Sequence, residues 1–417
     1  MTPAIPAQMR ALVLNGKGFE NLAVRLVPTP RPGPRQLLGR VDAAGICTSL
    51  IKLVEQGSDH ALLSGWDVSL HPLILGDEGA ITVCAAGAEL AGRYKVGERY
   101  VPQPAVDHAP INHRDRYRNV GQGVAKVAVG YTLPGNLAEY ILIPEEVLEA
   151  GCLLPLPKPD LPCAHAAMAE PLSCAISAQE HHLHLSQEAP GCERRAFKGL
   201  KTGGITVIVG AGAMGRMHVD LALSYRPRAI VVADLLEARL EKVRTLFAER
   251  AAGLQIQLTT LDPSRTDLKE AVAQLSDFRG ADDVIVAVGS RAAIQGAFDL
   301  VARGAVLNLF GGLKKGEDLV PMNTTVIHYS EINVTGSSGG SPWDIARALE
   351  LMASRQLDAS SHITRVGDLE HAIEFLQMIK RQELDGKAIV YPHRRTGEIL
   401  SVNAWRAEDE LHYLAGA

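Results

Sequence analysis

The sequence predicts an α/β protein in which a doubly wound parallel sheet is inserted into a second, mainly β domain. Three observations carry this. Residues 205–209 are a short β-branched run that ends in the glycine turn Gly210-Ala-Gly-Ala-Met-Gly215. Beyond about residue 175, strand-length apolar runs alternate with helix-length segments, the pattern of parallel sheets with crossover helices. Before residue 150 the chain instead shows short strand-like runs separated by Pro/Gly clusters such as 28–34, which points to a compact antiparallel domain.

Element by element, strands are expected at 9–14, 22–27, 36–43, 79–83 and 137–143. The inserted part should run strand 205–209, helix 214–225, strand 229–233 and helix 236–251. Strands 283–288, 305–310 and 332–335 follow, with a helix over 292–301. Helices near 343–354 and 369–381 and a strand at 388–391 return to the first domain. The tail 393–417 shows only a short helical pattern near 405–414. Segment 185–203, with Pro190, Gly191, Gly199 and Gly203, reads as a surface excursion or hinge. The division expected is 1–175, 176–336 and 337–417, so that pieces of one domain flank the other.

The glycine turn has a physical purpose. Gly210 permits a tight turn out of the strand, Gly212 lets backbone amides approach a pyrophosphate, and Gly215 lets the next helix pack on the sheet. The helix start, including Met214, offers free N–H groups and the positive dipole end to a diphosphate. Asp234 ends the second strand about 20 residues further on, where a carboxylate grips an adenosine ribose. This is a Rossmann-type dinucleotide site. Asp234 favours NAD(H), because a carboxylate repels a 2′-phosphate. NADP(H) stays open, because Arg239 is the nearest cation. Gly289, Gly311 and Gly312 end later strands on the cofactor side, where backbone must come close.

The chain has 417 residues, 47% hydrophobic and 21% charged, with a formal net charge of -5. That is ordinary globular composition and gives no support to nucleic-acid or membrane partners. No apolar stretch reaches spanning length, no secretory signal is visible near Met1, and six scattered cysteines do not form a disulfide framework; a cytoplasmic protein is expected.

Potential metal ligands lie in three segments: Cys47 in 45–49, Asp77 and Glu78 in 75–79, and Glu170 in 169–174. A thiolate with two or three carboxylates can hold Zn²⁺ and leave a position open for water or substrate. Such residues are also common without a metal, and these segments are far apart in sequence. Residues His181, His182 and His184 look metal-like, yet at helical spacing they read as a polar helix face.

The span 9–392 resembles the medium-chain, zinc-type alcohol and polyol dehydrogenases. The motifs, in family order, are Gly45-Ile-Cys47, Pro72-Leu-Ile-Leu-Gly-Asp-Glu-Gly79, Val96-Gly-Glu-Arg-Tyr100, Gly135-Asn-Leu-Ala-Glu-Tyr140, Ala169-Glu-Pro-Leu172, Gly210–Gly215 and Phe310-Gly-Gly312. The Gly76-Asp-Glu-Gly79 variant is similar to the branch containing L-sorbose 1-phosphate reductases. The resemblance implies a GroES-like fold for the β domain and reversible, metal-assisted hydride transfer between a secondary alcohol and a ketone. It makes Cys47 a catalytic zinc ligand and position 77 the second. Glu78 belongs in or beside the metal's ligand set, and Glu170 completes the site directly or through water.

Two positions depart from the family. Asp77 stands where a histidine ligand is usual, and Leu50 stands where an aspartate often orients that histidine. Either a carboxylate has replaced the imidazole as ligand, or the metal has been lost. The family's second, structural zinc needs four cysteines, and none occurs from 85 to 151, so that site is absent. His108 and His113 lie in that stretch and read as facing solvent or substrate.

For the remaining residues two readings stand side by side. Ser49 matches the hydroxyl that passes the alcohol proton outward, or it caps the helix that starts there. Lys387 matches a cation near the pyrophosphate, or it is a solvated lysine. Residues Arg114, Arg116 and Arg118, with Lys52, can grip the phosphate of a sugar or polyol phosphate, or they form a solvated loop. The small-molecule substrate is then a polyol or keto-sugar, and the resemblance implies a homodimer or homotetramer. A metal-free carbonyl reductase and a non-catalytic nucleotide sensor are the competing functions.

Overall fold

A computed structural model describes residues 5–63, 66–90, 92–106, 127–313 and 316–416. The chain forms two compact units, one of residues 1–173 with 340–417 and the other of 174–339. None of the described helices is long and apolar enough to cross a membrane.

The second unit is built on a six-stranded, wholly parallel sheet. Its spatial order is Gln257–Leu261, Ala229–Ala233, Ile205–Val209, Ala281–Val286, Val301–Leu309 and Asn333–Gly336. Both faces are covered, which is why the central strands are continuous apolar runs. Ile205, Val207, Val284 and Val286 pack with Val272 and Ile294 of helices Leu268–Leu275 and Arg291–Ala297. Ile208, Val232 and Ile285 pack on the other side with Val219, Leu240 and Phe247 of helices Ala213–Ser224 and Glu237–Gly253. Strand order reverses at Ile205–Val209, and the glycine turn leaves the carboxyl end of that strand, where open α/β sheets form their ligand crevice. The helix expected over 292–301 ends at Ala297, because the chain is already entering the strand Val301–Leu309.

Segment 185–203 contains most of an antiparallel hairpin, Leu183–Ser186 against Arg195–Lys198. This corrects the helix-face reading of the histidines. Residues 183–186 are a strand, so 182 and 184 point the same way. His182 Nδ1 and His184 Nε2 lie 2.6 and 2.8 Å from the same oxygen, Oδ1 of Asp283, and all three side chains are buried. The Lys201 backbone N–H donates to the other Asp283 oxygen. Burial alone would raise the Asp283 pKa, but the two imidazoles outweigh it and hold it at about 2.

The first unit carries an eight-stranded sheet. Its order is Leu400–Ser401, Ile363–Asp368, Lys387–Tyr391, Leu37–Gly45, Glu78–Ala86, Arg99–Pro102 and Leu153–Pro155, with Tyr140–Ile143 also paired to Leu37–Gly45. Every pairing is antiparallel except Ile363–Asp368 with Lys387–Tyr391. The short helix Ser49–Gln56 turns Leu50, Leu53 and Val54 into this core. Full burial of each such side chain stabilises by about 1.5–3 kcal/mol. Leu50 therefore does core work where the family often has a polar residue.

The tail is anchored. Glu410, on helix Ala407–Ala415, accepts the N–H groups of Cys163 and Ala164 at 2.8 and 2.9 Å and the Tyr391 hydroxyl at 2.9 Å. It thereby satisfies orphan donors at the start of helix Cys163–Ala167.

Candidate functional site

Antiparallel pairing assembles the acidic cluster of the first unit. Gly45, the last residue of its strand, lies opposite Glu78, the first residue of the next. Cys47, just past the first strand's end, is thus set beside Asp77, just before the second strand's start. The reactive atoms of Cys47, Asp77 and Glu78 all lie within 4.8 Å of one another. Ile389 also pairs with Gly45, which brings Lys387 to the same end, and its ammonium ion-pairs with Glu78 Oε1. A Cβ on residue 45 would sit 2.0 Å from Glu78 Oε2, so a side chain there would displace the Glu78 carboxylate.

The site is short of positive charge. Asp77, Glu78 and Lys387 are all buried, and three acidic groups face one cation. Burial, then Asp77 and Glu78, push the Cys47 thiol well above its usual range. Burial likewise raises both carboxyls, against the opposing pull of Lys387. Burial would lower the Lys387 pKa, but Glu78, Cys47 and Asp77 together carry it above its ordinary value. Among the described residues two oxygens have no nitrogen or oxygen donor, Asp77 Oδ1 and Glu78 Oε2, and only the Cys47 thiol stands beside the two carboxyls. A buried carboxylate oxygen without a donor is costly, and a soft thiolate with hard carboxylates is a donor set that suits a divalent ion such as Zn²⁺. The residues present fit a metal.

Glu170 lies in the first turn of helix Ala169–Glu180, buried, and close enough for its charge to raise the Cys47 thiol. It is outside the tight trio of ligand atoms. Ser49 does not cap its helix; its hydroxyl donates to Asp77 Oδ2 at 2.9 Å. Lys387 is neither solvated nor, as the resemblance implied, a cation for the pyrophosphate, since it is buried and its ammonium is committed to Glu78. Tyr131 escaped the sequence reading. It is buried, its phenol meets Ser49, and it faces the charges of Asp77, Cys47 and Glu170, which with burial push its pKa up. An aromatic residue in a loop carries no periodic signal that could have flagged it. His108, His113, Arg114, Arg116 and Arg118 lie outside the described residues.

In the second unit the glycine turn is built as an anion cradle. Gly210 adopts φ 107°, and a Cβ on Gly215 would meet the Gly210 carbonyl oxygen at 1.8 Å. Helix Ala213–Ser224 starts without a side-chain cap, leaving N–H groups around Met214 for a ligand. Asp234 accepts the N–H of Ala211 at 2.7 Å and of Leu236 at 2.9 Å, so it braces the turn. Arg239 stands 3.6 Å from it. Side chains at 289 or 311 would collide with the Gly312 oxygen at 2.5 Å or the Val288 backbone at 2.4 Å.

Comparison with known proteins fits both halves. Residues 33–157 match the alcohol dehydrogenase GroES-like domain, and 213–354 match the zinc-binding dehydrogenase domain. The mannitol-1-phosphate 5-dehydrogenase of Aliivibrio fischeri is 30% identical over 386 residues, covering 90% of this chain and 85% of that protein. The L-sorbose 1-phosphate reductase of Klebsiella pneumoniae is 29% identical over 428 residues, covering 98% and 97%. The crystal structure of 2R,3R-butanediol dehydrogenase from Bacillus subtilis shares the fold, with a TM-score of 0.72 at 20% identity over 92% of this chain and 100% of that one. The chain belongs to the zinc-type, medium-chain alcohol and polyol dehydrogenase family. It is an oxidoreductase that interconverts alcohols and ketones.

Proposed function

We propose that the chain interconverts a secondary alcohol and a ketone on a polyol or keto-sugar, with a nicotinamide dinucleotide as hydride carrier and NAD(H) preferred. Cys47, Asp77 and Glu78 would hold a divalent metal, zinc by their chemistry, with Glu170 beside them. The observation that carries this reading is the pair of oxygens that, among the described residues, lack a nitrogen or oxygen donor in a buried trio of acids facing Lys387. A bound ion there supplies Lewis acidity, stabilising negative charge on the substrate oxygen.

The chain's own residues do the rest. Lys387 neutralises Glu78 through Oε1 and leaves Oε2 for coordination. Asp77 offers Oδ1, while its Oδ2 is held by Ser49. This hydrogen bond gives Asp77 the orienting partner that position 50 no longer supplies. Ser49 Oγ keeps lone pairs that can accept the alcohol proton, and its own proton already points at Asp77 Oδ2. The turn at 210–215 supplies N–H groups to the pyrophosphate. Asp234 supports NAD(H), since it pairs with a ribose hydroxyl and repels a 2′-phosphate.

Metal analysis of the purified chain, joined to a screen of polyols and ketoses with NAD(H) and NADP(H), tests the proposal. We expect about one metal per chain and turnover, both lost in Cys47→Ser while dinucleotide binding persists. Full turnover by metal-free protein would overturn the metal assignment. Failure to turn over any polyol or ketose in the screen while metal and dinucleotide bind would overturn the substrate class proposed.

A further inference from the structure

The C-terminal tail lies beyond both domain matches, which end at residues 157 and 354, yet it is built into the first unit. Glu410 is 4% exposed, and its carboxylate joins two separate elements. Oε2 accepts the Cys163 N–H, while Oε1 accepts the Ala164 N–H and the Tyr391 hydroxyl. That hydroxyl also accepts the Trp405 indole N–H at 2.6 Å. The Trp405 carbonyl oxygen lies 2.6 Å from Nε2 of His165, on the same short helix, so that nitrogen carries the proton and donates. Arg99 holds the segment before this helix, donating to the Pro159 and Leu161 carbonyls at 2.8 and 2.9 Å. Both elements reach the acidic cluster at their other ends. Helix Cys163–Ala167 runs on into helix Ala169–Glu180: the Met168 N–H donates to the Ala164 carbonyl at 3.2 Å, and the Leu172 N–H to that of Met168 at 3.2 Å. Glu170 stands in the first turn of that second helix. Tyr391 ends the strand whose first residue is Lys387, the partner of Glu78.

We infer that Glu410 is a positioning residue for the acidic cluster: it ties the helical run bearing Glu170 to the strand bearing Lys387, and so fixes where Glu170 stands relative to Cys47, Asp77 and Glu78. The inference deepens the reading given under Proposed function, in which these four residues surround a metal, and rests on it. Glu170 needs such a brace. Its charge already bears on the Cys47 thiol, beside two further buried acids. Like charges in a buried volume repel, so an unsupported helix would carry Glu170 away from the cluster whenever no cation is bound. The helix start gives no such support by itself: Pro162 is the N-cap of Cys163–Ala167, and no side-chain cap of its own meets the first N–H groups. The carboxylate of residue 410 satisfies two of them with charge-assisted bonds, at the end of the helix where the dipole favours an anion. Because the same oxygen takes the Tyr391 hydroxyl, the helix start cannot shift without moving strand Lys387–Tyr391 or giving up a buried bond. Outer partners that orient a metal's ligands control its affinity by about 10–100-fold.

The test uses the full chain with Glu410→Gln, Glu410→Leu and Glu170→Ala, and with Glu410→Gln and Glu170→Ala together. Competition with a chromophoric chelator gives the Zn²⁺ affinity, and amide exchange of the metal-free protein reads Met168 and Leu172. Glu410→Gln keeps the side chain's size and one acceptor oxygen; it should weaken Zn²⁺ binding by about tenfold, and Glu410→Leu by more. In the Glu170→Ala background Glu410→Gln should change the affinity by less than about twofold, because its effect passes through Glu170. A merely structural role gives the same loss in both backgrounds, and that result overturns the inference, as does wild-type Zn²⁺ affinity in Glu410→Gln. Exchange at Met168 and Leu172 should quicken in Glu410→Gln, while that of Val41, in strand Leu37–Gly45, stays as in the wild type. If the wild type binds no Zn²⁺, the metal reading fails and exchange alone decides the brace: faster exchange confined to Met168 and Leu172 supports it, and unchanged exchange there overturns it.

Discussion

Replacing Lys387 with methionine isolates the charge imbalance on which the site's chemistry depends. The substitution keeps most of the side-chain volume and removes the cation that, among the described residues, pairs with the cluster of Cys47, Asp77 and Glu78. Glu78 is fully buried and Lys387 nearly so, with relative exposures of 0% and 6%. Breaking a buried pair at one end costs about 3–5 kcal/mol, because the surviving charge is left without compensation. The lysine's part of this contribution should not vary between about pH 6 and 9. A lysine whose pKa is raised on folding contributes fully below its unfolded value, 10.5, and loses that contribution only as pH rises through the folded value. Urea unfolding with a chelator present, followed by tryptophan emission, reads this unit directly, since Trp66, Trp343 and Trp405 all belong to it. Lys387→Met with Glu78→Leu should recover most of the loss, with a coupling energy of about 2 kcal/mol or more. Added Zn²⁺ should narrow the deficit of the single variant, because a divalent ion replaces the missing charge. Single-variant losses that add within about 0.5 kcal/mol would refute the argument.

Two further outcomes follow from the second unit. Asp283→Asn should remove a pH-dependent part of stability. The gap between the unfolded value of 3.8 and the folded value of about 2 corresponds to about 2 kcal/mol, present above pH 4 and lost as pH falls towards 2. Amide exchange in 281–286 should therefore differ between wild type and variant at pH 5, and the difference should shrink as pH falls and vanish only below about pH 2; a constant difference contradicts this. Asp234→Ala should loosen the turn for both dinucleotides, since it removes the acceptor for Ala211, yet weaken NADH about tenfold more than NADPH. Fluorescence titration with each cofactor reads that ratio, and equal losses would contradict the ribose assignment.

Local chemistry made some of this legible early. The run 205–209 could only be a strand covered on both faces, and the glycines after it mark places where a side chain has no room. Cys47, Asp77 and Glu78 were found from segment motifs, yet nothing local says that they meet. Their meeting depends on the register of two strands, with Gly45 opposite Glu78. Lys387 was misplaced for the same reason: its sequence neighbours make it a strand start, and only the pairing of Ile389 with Gly45 delivers its ammonium to Glu78. The histidines at 182 and 184 do not follow helical spacing, because the chain there is extended. Period 2 puts on one side the two rings that period 3.6 would separate.

Periodicity, turn residues and spacing act within a few residues, so the amino-acid order by itself determined the dinucleotide turn, the two-part architecture and the set of chemically capable side chains. Which of those side chains share a buried volume was decided by long-range strand pairing, as was the count of charges there. A carboxylate's cost and use depend on what surrounds it after water is gone. Only the folded chain shows that Asp77 and Glu78 each keep an oxygen without a partner among the described residues, and that the Tyr131 phenol faces them while its ring packs against His60.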